Sequence, residues 1–550
     1  MIMKKNVILF FISLMLTIDH GKSCTNILVS KGASVDNAVM ISYAADSHEL
    51  YGELYFRPAA KYPAGTQMDI IEWDTQKYRG KIRQARETYK VVGNMNEYQL
   101  AIGETTFGGK EELIDTTAVL DYGNLIYITL QRAKTARAAI DTIVALIKEN
   151  GYRSSGESFS ISDANEVWIM EIIGKGSPVI IKDKKGKEKK VYNKGAVWVA
   201  IRVPDGYICA HANQARIKRF PLNDKANCLY SPDVISFARA KGWFIGPDSM
   251  FSFADTYAPL DFGAKRFCEA RVYSIFRRAA MSQNLSPDYV MGVHDAKPLP
   301  LFIKPDKKLS VSDVFALMRD HFEGTPMDMT QDIGAGPYAC PYRWRPLIWK
   351  VDSVAYFNER AISTQQTAFS FISQARSSMP RYVGGVLWFG VDDTYSTVYV
   401  PMYSNINKIP IWFAPQNGDL YTYSDSSAFW AFNYVSNLAY SRYSDMIVDI
   451  VAKQKILEDK FIAEQAKTEL EATNIASVEG EAAAIEFLTQ YSNSKSAETF
   501  YTWKKLGHDL LVKYLDGNLK TKGHHVEHPL YPKWWYQQII NQTGDKLKMK

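Results

Sequence analysis

Short apolar or alternating runs follow one another in the first part of the chain and constrain its fold more than any other feature. Between Thr25 and about Gly174 each run is bounded by turn residues, and the runs are NILVS, AVMISYAAD, GELYFRP, QLAIGETT and NLIYITLQ. Alternation with a period of two is typical of strands. Because tight turns join the runs, they predict mostly antiparallel sheets.

One helix and two hairpins are predicted with clear boundaries. Apolar residues recur at helical spacing from Ala136 to Ile147, with Thr135 as a cap and Gly151 as a stop. The run ESFSISDANEVWIMEII predicts a hairpin that turns at Asp163, and AVWVAIRVPDGYICAHANQARI predicts another that turns at 204–206. A helix against such strands indicates a layered α/β arrangement.

The second half is mixed and then becomes helical. Helical patterns are predicted at 267–281 and 311–321, and strands return in a hairpin at 384–403. The stretch 324–346 is too rich in Gly and Pro for regular structure, and a loop of this length is often functional. Beyond residue 426 long amphipathic helices are expected.

The first 23 residues have the pattern of a secretory leader. Lys4 and Lys5 precede an apolar stretch that is too short to span a bilayer, and small residues at 21 and 23 favour cleavage after Ser23. We therefore predict a signal peptide at 1–23, a catalytic domain at 24–425 and a helical region at 426–550. The protein is expected to be exported, to the periplasm or the outside of the cell. No later apolar stretch is long enough to predict a membrane span.

Cysteine directly after a leader is also the pattern of bacterial lipoproteins, in which it is acylated. A polar segment from Asp19 to Lys22 separates the apolar stretch from Cys24, which disfavours lipidation. Lipid anchoring stays as the alternative to a free exported protein.

Charge and cysteine content restrict the remaining classes. The leader carries three lysines and one aspartate, so its removal lowers the formal net charge from +6 to +4. The basic run KDKKGKEKK lacks aromatic residues and predicts a solvated hairpin tip, so no nucleic-acid partner is expected. Four further cysteines are either paired in disulfides or buried as free thiols, and the sequence leaves this open: Cys209, Cys228, Cys268 and Cys340.

Cys24 is the strongest candidate for chemistry. After cleavage it would carry a thiol nucleophile and a free α-amine that can act as its base. Asp46 ends the second predicted strand, and in a hairpin that end returns beside the start of the first strand. We therefore expect Asp46 to approach Cys24 and to hold its amine.

The order of several short motifs resembles the PepD-like dipeptidases, cysteine peptidases of the N-terminal-nucleophile hydrolase superfamily. These motifs are CTNILVS, KGASVDN, a strand ending in Asp, GNMNEYQLAIGETT, EVWIMEI and HANQARI. The resemblance covers about residues 24–403. It implies a four-layer αββα sandwich of the α+β class and hydrolysis of dipeptides, with no metal or organic cofactor.

The resemblance also implies roles for individual residues. Cys24 matches the nucleophile, Asp46 the aspartate that contacts its amine, and Asn213 an asparagine of the oxyanion hole. Arg216 on the same segment is either structural or a carboxylate ligand. Many relatives carry an arginine where this chain has Tyr43, which leaves open what stabilises the thiolate.

Substrate contacts are predicted from a turn. Glu104 follows a strand among small polar residues and is the candidate for binding a substrate's amino group, with Thr105 adding a hydroxyl. Two alternatives to a dipeptidase remain. One is a related amidase for N-acyl amino acids, bile-salt conjugates or penicillins, and the other is an acylated surface lipoprotein with a binding role. A homo-oligomer is possible in either case.

Overall fold

A computed structural model describes residues 23–182, 188–191, 194–344, 347–521 and 523–549. Two large sheets form its centre, and every strand pair in them is antiparallel. The seven-stranded sheet contains, in spatial order, Phe302–Ile303, Ile208–His211, Asn26–Val29, Val39–Asp46, Thr367–Ala375, Gly385–Val391 and Val400–Tyr403. The eight-stranded sheet contains Cys228–Tyr230, Ala196–Arg202, Val167–Gly174, Gly156–Ser162, Ala101–Phe107, Met95–Asn96, Val91–Val92 and Phe56–Arg57.

Smaller elements complete the fold. Five two-stranded sheets pair Ala60–Lys61 with Glu87–Thr88, Gln67–Ile71 with Tyr78–Arg83, Val179–Lys182 with Glu188–Val191, Ile348–Val351 with Val354–Phe357, and Leu519–Thr521 with His525–Glu527. The α-helices are Tyr122–Leu130, Ala136–Asn150, Val234–Ala240, Phe253–Tyr257, Ala270–Ala279, Val311–Met318, Arg381–Gly384, Ala428–Tyr440, Tyr443–Glu479, Glu481–Tyr514 and Lys533–Thr543, and a π-helical turn Ala264–Glu269 precedes the fifth. The basic run thus connects two paired strands, although residues 183–187 lie outside the described part.

The two large sheets face each other. Strand Val39–Asp46 of the first sheet contacts Ala101–Phe107 and Gly156–Ser162 of the second. Strand Val167–Gly174 shows how each face is used: Ile169 and Ile173 join the apolar core shared with the other sheet, while alternate residues join a second cluster under the helices. The strands are therefore buried on both faces.

Helices cover the remaining faces. Ala136–Asn150 packs on the eight-stranded sheet, with its cap Thr135 accepting a hydrogen bond from the Ala138 amide and Gly151 ending it at φ 80°, so the predicted helix is confirmed. Helices Ala270–Ala279 and Val311–Met318 pack against strands of the seven-stranded sheet. The fold is a mixed α/β arrangement with mainly antiparallel sheets.

Two predictions of local structure were wrong. The run NLIYITLQ was predicted as a strand, but it lies in helix Tyr122–Leu130, which Asp121 caps by accepting from the Asn124 amide. A short apolar run does not distinguish a strand from a buried helix, and most of this helix is buried. The run with a turn at 204–206 was predicted as one hairpin, but its strands belong to different sheets. The turn therefore carries the chain from one sheet to the other.

The last helices pack against the sheet edge. Helix Glu481–Tyr514 contacts strand Val400–Tyr403, and the ring of Trp503 stacks on Phe432 with centroids 4.7 Å apart. The predicted helical region begins within two residues of the first of these helices. One apolar core includes side chains from the sheets and from these helices. The division of the chain at 425 stays a prediction.

The question of the cysteines is resolved in favour of free thiols. All five cysteines lie in the described part of the chain and none is in a disulfide. Burial raises the pKa of the Cys209 thiol to about 12, which makes it unreactive at neutral pH. Within the residues described, none of the helices combines the length and apolar character that crossing a bilayer requires.

Candidate active site

Cys24 lies at the end of the seven-stranded sheet, beside the end of the neighbouring strand. Thr25 bridges to Ala44, and the Ser23 amide donates to the carbonyl oxygen of Asp46 at 2.9 Å. The antiparallel pairing of Asn26–Val29 with Val39–Asp46 produces this neighbourhood. The expected approach of Asp46 to Cys24 is present.

The thiol of Cys24 is buried against two polar side chains. Its Sγ lies 3.5 Å from Glu104 Oε1 and 3.8 Å from Tyr43 Oη. Tyr43 Oη in turn donates to Glu104 Oε1 at 2.5 Å. Burial raises the pKa of the Cys24 thiol well above its ordinary value, and the negative charges of Glu104 and Asp46 raise it further. With residue 23 still attached, the sulfur is therefore a protonated thiol at neutral pH.

Glu104 has a second carboxylate oxygen directed into this buried region. Oε2 has no hydrogen-bond partner among the described residues, although Glu104 is 1% exposed. A buried carboxylate oxygen without a donor is costly, so it provides a position for a ligand's positive or hydrogen-bonding group.

Asp46 is fixed by two residues that lie far away in the sequence. Arg360 Nη2 donates to Asp46 Oδ2 at 2.5 Å, and Thr367 Oγ1 donates to Oδ1 at 2.7 Å. Burial raises the pKa of Asp46, while the Arg360 guanidinium and the Thr367 hydrogen bond oppose that rise. Both carboxylate oxygens are thus held in place beside the main chain of residues 23 and 24.

A second guanidinium connects Cys24 to Asn213. Arg271, on helix Ala270–Ala279, donates from Nη1 to the Cys24 carbonyl oxygen at 2.5 Å and to Thr25 Oγ1 at 2.8 Å. From Nη2 it donates to Asn213 Oδ1 at 2.9 Å. Burial and the charge of Arg360 lower the pKa of Arg271 to about 10, so it stays positive at neutral pH.

Asn213 occupies a left-handed backbone conformation with φ 60°, which asparagine tolerates better than most residues. Its Nδ2 donates to the Thr106 carbonyl oxygen at 2.7 Å. The side chain is thereby oriented on both sides, by Thr106 and by Arg271.

Two of the predicted substrate ligands are bound within the fold. Thr105 Oγ1 pairs with His211 Nδ1 at 2.7 Å, and burial lowers the pKa of that histidine to about 3. Arg216 forms a buried ion pair with Glu269 at 2.8 Å, and Nη2 donates to the Pro300 carbonyl oxygen. These contacts correspond to the structural interpretation of Arg216.

Sequence reasoning missed Arg271 and Arg360. Neither lies in a motif, and they are 247 and 336 positions from Cys24, so no local pattern brings them to the site. They supply the positive charge that the sequence lacks at Tyr43. Among the described residues, no group of three or more His, Cys, Asp or Glu side chains is placed to hold a metal ion.

A buried cysteine at a strand start, with an aspartate, two arginines and an oriented asparagine around it, is the arrangement of a cysteine hydrolase. Residues 23–456 match the model of peptidase family C69. The chain belongs to peptidase family C69, a cysteine peptidase family of the N-terminal-nucleophile type, and it is therefore a peptidase.

Curated relatives cover most of the chain at low identity. A probable dipeptidase B of Streptococcus pyogenes serotype M1 is 23% identical over 504 residues, covering 88% of this chain and 92% of its own. A probable dipeptidase of Latilactobacillus sakei is 24% identical and covers 85% of this chain and 90% of its own. A probable dipeptidase of Salmonella dublin is 24% identical and covers 70% and 81%.

Proposed function

We propose that this protein is an exported dipeptidase whose nucleophile is the thiol of Cys24, made N-terminal by removal of residues 1–23. The proposal rests on the position of Cys24. Its Sγ lies 3.5 Å from Glu104 Oε1, and the amide of the preceding residue, Ser23, donates to the carbonyl oxygen of Asp46. The names of the relatives favour dipeptides as substrates.

Leader removal creates the base that the site lacks. The new α-amine of Cys24 arises where the Ser23–Cys24 amide stands, next to Asp46, and it takes the thiol proton. The thiolate attacks the substrate's peptide carbonyl, forming a carbon–sulfur bond. The peptide carbon–nitrogen bond then breaks as the leaving amine receives the proton from the α-ammonium group, and water later hydrolyses the thioester to a carboxylate and the free thiol.

The developing oxyanion needs a hydrogen-bond donor, and we assign this role to Asn213 Nδ2. Arg271 holds Asn213 Oδ1 and the Cys24 carbonyl oxygen with the two ends of one guanidinium. A donor fixed before the reaction costs no reorganisation in the transition state. Arg271 therefore sets the position of the donor relative to the nucleophile.

The four-layer αββα arrangement is part of the same proposal. Helices pack on both sheets, and the sheets contact each other, as such a sandwich requires. Cys24 at a sheet end is where that architecture presents its nucleophile.

Glu104 favours dipeptides over N-acylated substrates. Its unpartnered Oε2 lies in a buried region beside the thiol and matches the ammonium group of a free amino terminus. An acyl amide brings no positive charge there. The amidase alternative therefore lacks a partner for Glu104.

Export, to the periplasm or the outside of the cell, rests on the leader, of which residues 1–22 lie outside the described part. Cys24 is 2% exposed at the sheet end, which supports a catalytic residue over a lipid-bearing one.

The proposal is tested by assaying dipeptides and N-acetyl dipeptides side by side with wild-type protein and Cys24→Ala. We expect wild type to hydrolyse the free dipeptides and the variant to be inactive but folded, as judged by its thermal unfolding. Hydrolysis by Cys24→Ala, or exclusive hydrolysis of the acylated substrates, contradicts the proposal.

A further inference from the structure

Arg360 is almost fully buried, and a single nitrogen of its guanidinium has two hydrogen-bond acceptors. Nη2 donates to Asp46 Oδ2 at 2.5 Å and to the carbonyl oxygen of Ser23 at 2.6 Å. Its Nε is buried without a hydrogen-bond partner among the described residues. The side chain is 2% exposed. Arg360 thus has donor capacity that the fold around it does not use.

Cleavage after Ser23 changes the hydrogen bonding of Arg360 directly. The carbonyl oxygen of Ser23 leaves with the leader, so Nη2 loses one of its two acceptors. The new α-amine of Cys24 also competes for Asp46. The guanidinium is then left with unsatisfied donors in a buried position, which is a costly state.

The local charges also provide a partner for each end of a free dipeptide. With the leader attached, Asp46 and Glu104 balance Arg271 and Arg360. Transfer of the thiol proton to the α-amine creates one ammonium and one thiolate, so this balance is kept, and a free dipeptide carries one ammonium and one carboxylate. If the ammonium group of the dipeptide binds Glu104, the positive groups that remain for its carboxylate are Arg271 and Arg360.

Arg360 is among the residues that line a surface cavity. The cavity lies between the segments 341–344 and 358–365, and its lining includes Tyr342, Trp344, Arg360 and Thr364. The other charged groups of the lining are already paired, Arg343 with Asp332 and Glu359 with Arg266. With Ser23 in place the cavity measures about 20 Å³, room for about one water molecule. Departure of Ser23 frees space beside the Arg360 guanidinium, which the Ser23 carbonyl oxygen contacts.

From these observations we propose that Arg360 binds the C-terminal carboxylate of the substrate in the mature enzyme and so restricts hydrolysis to dipeptides with a free carboxyl end. This inference rests on the proposed dipeptidase function. It assigns Glu104 and Arg360 to opposite ends of a dipeptide, with Cys24 between them.

The test compares a cleaved dipeptide with its C-terminal amide, both with a free amino end. For the mature wild-type protein we expect kcat/KM to be roughly ten- to a hundredfold higher for the free acid, the range for one charge-assisted interaction. Arg360→Lys keeps a positive charge beside Asp46 but loses the second donor, so its acid-to-amide ratio should fall towards one, mainly through a higher KM for the acid.

Thr367→Val is the matched control, because it removes the other hydrogen bond to Asp46 and leaves Arg360 in place. It should lower kcat for acid and amide alike and keep the ratio. If Arg360→Lys does not fold, two wild-type measurements still test the proposal. One is the acid-to-amide ratio of kcat/KM, and the other is whether free amino acids inhibit competitively more strongly than their amides do.

Equal hydrolysis of acid and amide by wild type overturns the assignment of Arg360 while the dipeptidase function stands. A wild-type ratio that Arg360→Lys leaves unchanged also overturns it. No hydrolysis of any dipeptide by the mature protein overturns the proposed function itself.

Discussion

Arg360 and Asp46 form a buried ion pair that joins two parts of the chain 314 positions apart. The carboxylate lies at the end of strand Val39–Asp46, and the guanidinium comes from the segment that precedes strand Thr367–Ala375. Because these strands are neighbours in the seven-stranded sheet, the pair forms at their common end. Asp46 is thereby held beside Cys24 before any substrate arrives.

Asp46→Asn should fold and lose most of its activity. The amide keeps the shape but not the charge that holds the α-ammonium group, and we expect kcat to fall roughly 100-fold, within the range for proton-transfer groups. Since the variant leaves Arg360 with a neutral partner, the free energy of unfolding should drop by about 1–3 kcal/mol. Steady-state kinetics and urea unfolding measure the two effects, and normal turnover would remove Asp46 from the site.

Tyr43→Phe should reduce activity with little change of packing. The ring keeps its edge contacts with Phe369 and Phe371, while the hydroxyl between Cys24 and Glu104 is lost. We expect kcat/KM to fall about tenfold, equivalent to one hydrogen bond near a charge. Tyr257→Phe, which removes a buried hydroxyl bound to the Val234 carbonyl oxygen, is the control and should keep full activity. Equal effects of both variants would exclude a specific role for Tyr43.

Glu104→Gln should raise the KM for dipeptides without lowering the activity on substrates that lack a free amino terminus. The variant removes the negative charge opposite the ammonium group, and an increase in KM of roughly ten- to a hundredfold is expected. Residual activity on N-acetyl dipeptides is the internal control and should not fall. A variant that loses both activities equally would place Glu104 in the chemistry and not in recognition.

His211 should make the protein less stable in mild acid. Its pKa is about 3 in the folded chain and about 6.5 when unfolded, so below pH 6.5 the unfolded state binds a proton that the folded state does not. Stability therefore falls as pH drops from about 6.5 towards 3, by about 2 kcal/mol at pH 5.

Urea unfolding at pH 7.5 and pH 5 measures this loss. His211→Gln should show less of it, while His508→Gln, at an exposed helix position, should behave as wild type. If His211→Gln loses as much stability between pH 7.5 and pH 5 as wild type does, other titrating groups cause the loss.

Local patterns were sufficient for the parts of the site that lie close together in the sequence. The antiparallel pairing of the first two predicted strands placed Asp46 beside Cys24. Glu104 was predicted at a turn after a strand, but it lies within strand Ala101–Phe107 and is buried. Arg271 and Arg360 were not predictable, because their approach depends on how a helix and a late strand pack on the first hairpin. A single sequence contains no signal for such a contact.

The fold errors have the same origin. NLIYITLQ is apolar throughout, so period alone did not separate a strand from a buried helix, although Asp121 before it was a usable cap signal. The two strands on either side of 204–206 have the sequence pattern of a hairpin. They lie in different sheets because the chain crosses from one facing sheet to the other at this turn. Tertiary packing, and not local sequence, determines which of the two sheets a strand joins.

The central claim is that Cys24 becomes a free N-terminal nucleophile, and the intact mass and N-terminal sequence of active protein from its own export route test it most directly. We predict a mature chain that begins at Cys24, with an unmodified α-amine and thiol. Fully active protein that still carries Ser23, or a diacylglyceryl group on Cys24, would contradict the account.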